Sequence, residues 1–473
     1  MIFPPPPSGN ITQDKNVCII GLGYVGLTLG VALADVGFRV TGIEVAPEIL
    51  KCLKEGRAHF TETGLDRRLR KNIDAGRFFF SDDIAQAAGA SAYIITVGTP
   101  VDDAKKTRIN VLEAAARDVA KVLLPHNLVI LRSTVRVGIC RELVKPILDE
   151  TGAPYHLAFC PERTIEGKAI EELRSLPQVI GGLDDASTIR AAQLFYALTP
   201  SVVRVSSLEA AEMVKLVNNT HRDIMFAYAN EIATAAEASG LSAMEVIKAA
   251  NFGYPRGGVR KPGPVGGPCL EKDPYILAEG LARAGVTPDL LLAGRRLNET
   301  LPQRVAARVA ALMRARDGTA KKVALLGLAF KGRPATSDLR GTLAKPLGEA
   351  LQAAFPGARL VGWDPVVAPD MAREELKIEV AATLEDAALD ADLIVIQNNH
   401  PAFAEMNLAT LSATMNENGL IFDLWAQNEG DELVLRNNVA YGCLGSAHVQ
   451  GGALQKEQTQ QPSGSEIRRA ATG

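Results

Sequence analysis

The sequence predicts an α/β protein in which two parallel-sheet domains are joined by a central helical domain with one long helix. Three observations predict this. Short, wholly apolar runs alternate with helical segments between residues 16 and 205, the pattern of a parallel sheet covered on both faces. The same alternation restarts at Lys321. Between the two, Leu208 to Ser239 contains neither proline nor glycine and favours helix throughout.

The elements follow in order. Residues 1–15 are rich in proline and polar groups and are expected to form a flexible arm. They lack the charged and then apolar regions of a signal peptide. The first α/β domain is expected at 16–205. Its strands are read at Val17–Ile20, Phe38–Glu44, Ala92–Val97, Leu128–Leu131, His156–Phe159 and Val202–Val205, with a helix at Tyr24–Val36 stopped by Gly37. A helical domain follows at 206–316. Its long helix is ended by Gly240 and would run roughly 45–50 Å, enough to offer a dimer surface. A Gly/Pro-rich loop, Gly253–Pro268, interrupts the later helices. The second α/β domain spans 317–448, with strands at Val323–Leu326, Arg359–Trp363, Leu393–Ile396 and Leu420–Phe422 and a helix at Thr342–Ala354. Residues 449–473 are polar and are expected to be disordered.

A chain of 473 residues suggests roughly two to four domains. The formal charge of −3 supplies no general attraction to nucleic acid or an anionic membrane, although a local basic pocket is compatible with it. No apolar run is long enough to cross a bilayer. Cysteines at 18, 52, 140, 160, 269 and 443 form no Cys-x-x-Cys pair and do not cluster with histidine, so no metal is expected. Reduced thiols and a cytoplasmic location are the expectation.

Six motifs carry chemistry. In GLGYVG, Gly21 permits a tight turn, Gly23 lets a pyrophosphate approach the backbone, and Gly26 lets helix pack on sheet. Tyr24 and Val25 complete that loop. Glu44, at the end of the second strand, is placed to bind both hydroxyls of an adenosine ribose and to repel a 2′-phosphate. The expectation is a Rossmann-like domain that binds NAD rather than NADP. The second motif, GGPCLEKDPY, reads Asp273 as helix N-cap and Pro274 as first helical residue, with Cys269 in the turn before them. A helix N-terminus and Lys272 favour a thiolate, whereas an isolated cysteine is ordinarily inert packing. Third, Lys215 and Asn219 share a helix face among apolar neighbours. Lys215 either reaches past them to solvent or turns its ammonium towards a developing oxyanion. Glu162 and Glu166 in CPERTIEG follow a strand end, either as general bases or as surface charges. Ser133 and Thr134, at another strand end, are hydroxyls that either cap a turn or take part in chemistry. Finally, Phe330, Lys331, Thr336, Ser337 and Arg340 follow the Val323–Leu326 strand, as an exposed polar loop or a phosphate site.

Taken in order, VGTP (97–100), STV, CPERTIEG, KLVNN, PGPVGGPCLEKDP, GLAFKGRPATSDLR, WDP (363–365) and NNHPAF (398–403), with GLGYVG, resemble the UDP-glucose/GDP-mannose dehydrogenase family over roughly residues 15–430. The resemblance implies an NAD domain, a helical dimer domain and a UDP-binding domain. Pro161, Glu162 and Arg163 look like the branch acting on UDP-N-acetylhexosamines. This favours UDP-N-acetyl-D-mannosamine, ahead of UDP-N-acetylglucosamine and UDP-glucose. Pro268, Lys272, Ser337, the missing proline in STVRVG and a loop one glycine short depart from the usual pattern.

The implied reaction is two successive oxidations of the sugar C6 alcohol. An aldehyde offers no C–OH to oxidise until a nucleophile adds, and Cys269 would supply it, giving a thiohemiacetal and then a thioester. By resemblance, Lys215 and Asn219 stabilise oxygen anions, Asp273 and Thr134 hold a water, and Glu162 or Glu166 activates the water that releases the acid. Thr99 and Thr134 line the cofactor. Arg163, Gly266, Gly267, Phe330, Lys331 and Arg340 serve the nucleotide sugar, and Arg256 reaches the substrate of the partner subunit in a homodimer. Rival readings are a dehydrogenase that stops after one hydride transfer and a non-catalytic NAD-binding regulator. A short-chain epimerase or dehydratase needs Tyr-x-x-x-Lys, which this sequence lacks.

Overall fold

The computed structural model describes residues 15–316, 318–428 and 433–451. By its internal contacts the chain divides into two units. One comprises the residues up to Arg222 together with Lys272–Leu292, the other Asp223–Glu271 and the residues from Ala293 onward. The helical stretch at 206–316 is shared out between them. The arm at 1–15 and the tail at 449–473 lie, apart from residues 15 and 449–451, outside the described residues. Gln450 still exchanges backbone hydrogen bonds with Tyr441, so the ordered chain continues past the boundary expected at 449.

The first unit is built on an eight-stranded sheet. Its strands are β1 (Asn16–Ile20), β2 (Arg39–Ile43), β3 (Phe78–Ser81), β4 (Ala92–Ile95), β5 (Leu128–Leu131), β6 (His156–Phe159), β7 (Gln178–Gly182) and β8 (Val202–Arg204). They lie in the order β3-β2-β1-β4-β5-β6-β7-β8, and β6 with β7 is the antiparallel pair. The second unit carries β9 (Lys322–Leu326), β10 (Arg359–Trp363), β11 (Glu379–Val380), β12 (Leu393–Ile396), β13 (Leu420–Asp423) and β14 (Ala440–Cys443), in the order β11-β10-β9-β12-β13-β14 and parallel throughout. Both sheets therefore reverse direction beside their first strand, the switch point at which such folds bind ligands.

The apolar runs are continuous because successive residues feed different cores. Val17 and Ile19 join one cluster, with Leu27, Val31 and Phe195, while Cys18 and Ile20 join another, with Leu112 and Ala116. In the second unit Val323 and Leu325 separate in the same way from Ala324 and Leu326. This is the α/β class expected, with helices covering both faces.

The long helix is Leu208–Ala238, 31 residues or about 46 Å. Gly240 follows it at φ +73°. Helices at Ala243–Asn251, Asp273–Arg283, Asp289–Glu299 and Leu301–Arg314 come next. Asp273 is itself the first helical residue and Lys272 the cap, a shift of one position from the expected N-cap. The cause is that Asp273 turns its carboxylate to side chains rather than to the first-turn N–H groups. The helix expected from Thr342 starts at Ala344, because the Thr342 hydroxyl instead bonds the Leu328 carbonyl at 2.6 Å.

Candidate functional site

The nucleotide end of the first unit is formed by the turn after β1. Gly21 has φ +87°, and a Cβ on Gly26 would sit 1.9 Å from the Gly21 carbonyl oxygen, so both positions exclude a side chain. A Cβ on Gly23 would meet nothing within 4 Å, which leaves the backbone open on that side. Glu44 accepts the Leu22 N–H at 2.9 Å and the Val45 and Ala46 N–H groups at 2.9 and 3.1 Å. Beside it is an open cavity of about 470 Å³ bordered by Val45, Pro47, Leu50, Lys51 and Asp82. Tyr24 does not point into open space. Its hydroxyl donates to Glu62 at 2.5 Å and accepts the Gly167 N–H at 3.2 Å, and burial followed by the Glu62 contact pushes the phenol up. Val25, next along, is the second residue of the helix that Tyr24 opens.

The catalytic candidates of this unit fall into two groups. Lys215 is 8 % exposed, and its ammonium donates to the Glu162 backbone carbonyl at 2.7 Å, so it does not reach past its neighbours to solvent. The Glu162 carboxylate is buried, accepts the Arg132 Nε at 3.0 Å and accepts the Thr164 N–H at 2.6 Å. Burial alone would raise its pKa, but Arg132, Lys215 and Thr164 outweigh burial and bring it down to about 2. In the second group, Asp273 is fully buried and accepts Asn219 Nδ2 at 2.6 Å and Lys272 Nζ at 2.9 Å. Lys272 is thus committed to a carboxylate. The Thr99 hydroxyl donates to the Thr134 carbonyl, fixing the strand-end turn that presents Thr134. Glu166 is half-buried near Tyr24. The Arg163 guanidinium donates to the Pro177 carbonyl.

In the second unit, Cys269 is exposed and Cys443 is buried, whereas in the first unit Cys52 is half-buried and Cys18, Cys140 and Cys160 are buried. Cys269 lies in a turn reached through Gly266 and Gly267. The Gly267 N–H donates to the Gly341 carbonyl at 2.7 Å, and a Cβ on Gly267 would sit 2.5 Å from the Phe330 ring. Lys331 lies over that ring at 5.3 Å, and Arg340 pairs with Asp338 at 2.9 Å. Gln397 Nε2 donates to the Gly327 and Ala329 carbonyls at 2.6 and 3.1 Å, and Asn399 accepts the Gly332 N–H at 3.0 Å, so Gln397 and the NNHPAF segment after it hold the loop expected to take the nucleotide. Arg256 stacks on Tyr254 at 4.7 Å. Among the described residues, no group of three or more His, Cys, Asp or Glu is placed to hold a metal ion.

The NAD binding domain of the UDP-glucose/GDP-mannose dehydrogenase family matches residues 15–199, its central domain 209–300, and its UDP binding domain 324–428. This chain belongs to that family. It is an NAD-dependent nucleotide-sugar dehydrogenase. It is 32 % identical to the UDP-N-acetyl-D-mannosamine dehydrogenase of Pyrococcus horikoshii over 86 % of this chain and 94 % of that one. A solved UDP-D-ManNAc dehydrogenase structure from the same organism superposes with a TM-score of 0.82 at 29 % identity, covering 91 % of this chain and 99 % of the other. A UDP-glucose dehydrogenase from the hyperthermophilic archaeon Pyrobaculum islandicum superposes almost equally, with a TM-score of 0.81 at 27 % identity, over 91 % and 98 % of the two chains.

The family's cofactor fits the residues present. The Gly26 close approach preserves the turn, the open side of Gly23 leaves room for the pyrophosphate, and Glu44 directly precedes Val45, which borders the open cavity with Asp82. Two side chains of this family member escaped the sequence reading. Arg132 is buried beneath Glu162, and its signal was a charge placed directly after the wholly apolar run Leu128–Leu131. Glu62 ties Tyr24 to the Gly167 and Ala169 N–H groups at 2.7 and 2.9 Å, and no local pattern announces it.

Proposed function

We propose that this dehydrogenase oxidises the C6 alcohol of UDP-N-acetyl-D-mannosamine to the carboxylate in two steps through Cys269. The observation that carries the two-step reading is the exposed cysteine on a glycine turn, since a single oxidation of an alcohol needs no thiol. The sugar assignment is supported by relatives bearing that activity and by Pro161, Glu162 and Arg163. The alternatives are UDP-N-acetylglucosamine and UDP-glucose.

NAD⁺, when bound, supplies the acceptor for the two hydrides that this four-electron oxidation releases. Gly21, Gly23, Tyr24, Val25, Gly26, Glu44, Thr99 and Thr134 would hold it. The alcohol proton passes to a water held by Asp273 and Thr134. The Cys269 sulfur then bonds to the aldehyde carbon, and the carbonyl oxygen becomes the anion that Lys215 and Asn219 stabilise. Loss of the second hydride leaves a thioester. Water breaks its C–S bond, freeing the carboxylate and the thiol. Glu162, paired with Arg132 and held near a pKa of 2, is a poor acceptor for that water's proton. Glu166 is the better candidate, with Glu162 holding Lys215 in place through its carbonyl.

The proposal includes Arg163, Gly266, Gly267, Phe330, Lys331 and Arg340 at the nucleotide sugar and Arg256 at the substrate of a partner subunit. It also divides the chain into NAD-binding (16–205), dimerising (206–316) and UDP-binding (317–448) domains. A homodimer through the central helices is supported by Met213, Val217 and Tyr228, which lie exposed along one face of the long helix. NAD and UDP-sugars are cytoplasmic pools, which supports that location, and a nucleotide-linked uronic acid suits polysaccharide synthesis.

The test is the NADH yield with excess NAD⁺ and limiting UDP-N-acetylmannosamine, run beside UDP-glucose. Two NADH per sugar in the first tube and loss of acid formation in Cys269→Ser are expected. One NADH per sugar would defeat the covalent route. A yield of two with UDP-glucose alone would overturn the sugar assignment.

A further inference from the structure

The loop that carries Cys269 is rich in glycine, at Gly263, Gly266 and Gly267, and has little stiffness of its own. Yet a nucleophile has to be held to within a fraction of an ångström of its target. The second unit holds this loop from beneath with four buried side chains. Arg295 is 2 % exposed. Its Nη1 donates one hydrogen to Asp223 Oδ1 at 2.7 Å and the other to the Leu270 carbonyl at 2.9 Å, the residue next to Cys269. Asn298, one helical turn beyond Arg295, donates to the Asp223 carbonyl and to its Oδ1, both at 2.9 Å. Asn298 in turn accepts from Asn230 Nδ2 at 3.1 Å. Asn230 then meets both backbone groups of Gly263, donating to its carbonyl at 3.1 Å and accepting its N–H at 2.9 Å.

The network thus grips the loop at Gly263 and at Leu270. It draws on two helices only. Asp223 and Asn230 are seven residues apart on the long helix, and Arg295 and Asn298 three apart on the Asp289–Glu299 helix, so each pair shares a face. A buried ion pair adds little stability over an apolar pair of the same size, which leaves its geometry as the feature that needs an explanation. A guanidinium can hold a carboxylate and a carbonyl in a fixed relation, and an ammonium cannot hold both in the same fork.

We propose that Arg295, fixed by Asp223, is a positioning residue that sets the place of the Cys269 turn, with Asn230 anchoring the far end of the loop. This rests on the reading of Cys269 as the nucleophile. The test uses the full-length protein with Arg295→Met and Arg295→Lys. In Arg295→Met, amide hydrogen exchange in residues 263–271 should rise about tenfold while β9–β14 exchange as before. Acid formation should slow about 10²-fold, with KM for the nucleotide sugar and the rate of the first NADH nearly unchanged. Arg295→Met leaves Asp223 buried without its cation, so if it fails to fold, Arg295→Lys decides: the fold returns, but the loop still exchanges fast and acid formation stays slow. Unchanged exchange in the loop, or an equal loss in both oxidation steps, would overturn the proposal. Cys269→Ser is run in parallel. If it still makes acid, the nucleophile reading fails, while the exchange measurement still judges the clamp.

Discussion

After β1, the Gly21 N–H donates to the Ile43 carbonyl at 2.8 Å and the Leu22 N–H to the Glu44 carboxylate at 2.9 Å. After β9, the Gly327 N–H donates to the Trp363 carbonyl at 2.8 Å and the Leu328 N–H to the Asp364 carboxylate at 2.7 Å. Both turns place an acid just past the second strand and tie the glycine loop to it. The chains then diverge. Asp364 also takes the N–H groups of Ala329, Val366 and Val367 at 3.1, 2.8 and 3.0 Å and is 9 % exposed. Glu44, one methylene longer, is only half-buried and directly precedes Val45, which borders a cavity. Where the first unit has the open Gly23, the second has Ala329, 1 % exposed under Gln397. One backbone device serves a ligand in the first unit and knits its own loop together in the second.

The sharpest way to break this comparison is Asp364→Ala. It strands the N–H groups of the buried Leu328, Ala329 and Val367 and leaves that of the exposed Val366 to water, at a cost of roughly 3–5 kcal/mol. Both tryptophans of the chain, Trp363 and Trp425, lie in the second unit, so tryptophan fluorescence reports its urea unfolding alone. The midpoint should fall steeply while the NAD affinity of the folded protein holds. An unchanged midpoint would mean Asp364 is not structural.

Strand-end carboxylates make the same contrast through charge. Glu162, after β6, has Arg132 against it and sits near a pKa of 2. Asp423, closing β13, accepts the Trp425 and Gln427 N–H groups and the Tyr441 hydroxyl, and burial pushes it up. The signs therefore oppose. Glu162 stabilises the fold above its ordinary value of 4.5 and loses that contribution, about 3 kcal/mol, as pH falls through 2. The Asp423 contribution is complete below its ordinary value of 3.8 and is lost as pH rises through its higher folded value. Replacing the first pair together, Arg132→Met with Glu162→Gln, should flatten the acid slope of hydrogen-exchange stability in β5 and β6 between pH 4.5 and 2. The same slope in the double variant would remove Glu162 as its source.

These contrasts mark where the sequence was legible. The strands β1, β4, β5, β6, β9, β10 and β12, apolar but for an opening polar residue in β1, β6, β9 and β10, were read nearly to the residue, because burial on both faces leaves an unbroken run. The strands β3, β7, β11 and β14 were missed. β11 has two residues, β7 ends in two glycines and β14 contains one, which weakens their strand composition, while β3 has three phenylalanines but is a four-residue edge that only half-buries them. The glycine turn and its acid were legible because both lie within one local unit. The partners of Glu162, Tyr24 and Leu270 were not, since Arg132, Glu62 and Arg295 are 30, 38 and 25 residues from the groups they hold. Such pairs obey hydrogen-bonding and charge but leave no period in the chain.

The smallest effect is the most discriminating. Glu44→Ala removes an acceptor from the Val45 and Ala46 N–H groups, where water can replace it, and from the N–H of the buried Leu22, so stability should fall by about 1–2 kcal/mol, well short of the Asp364 loss. The lost bonds to the ribose hydroxyls should instead weaken NAD about 10- to 100-fold by calorimetric titration. NADP should weaken less or gain, because the charge that repels a 2′-phosphate has gone. A large loss of stability with unaltered cofactor preference would make Glu44 a second Asp364, and the two turns would then differ in sequence alone.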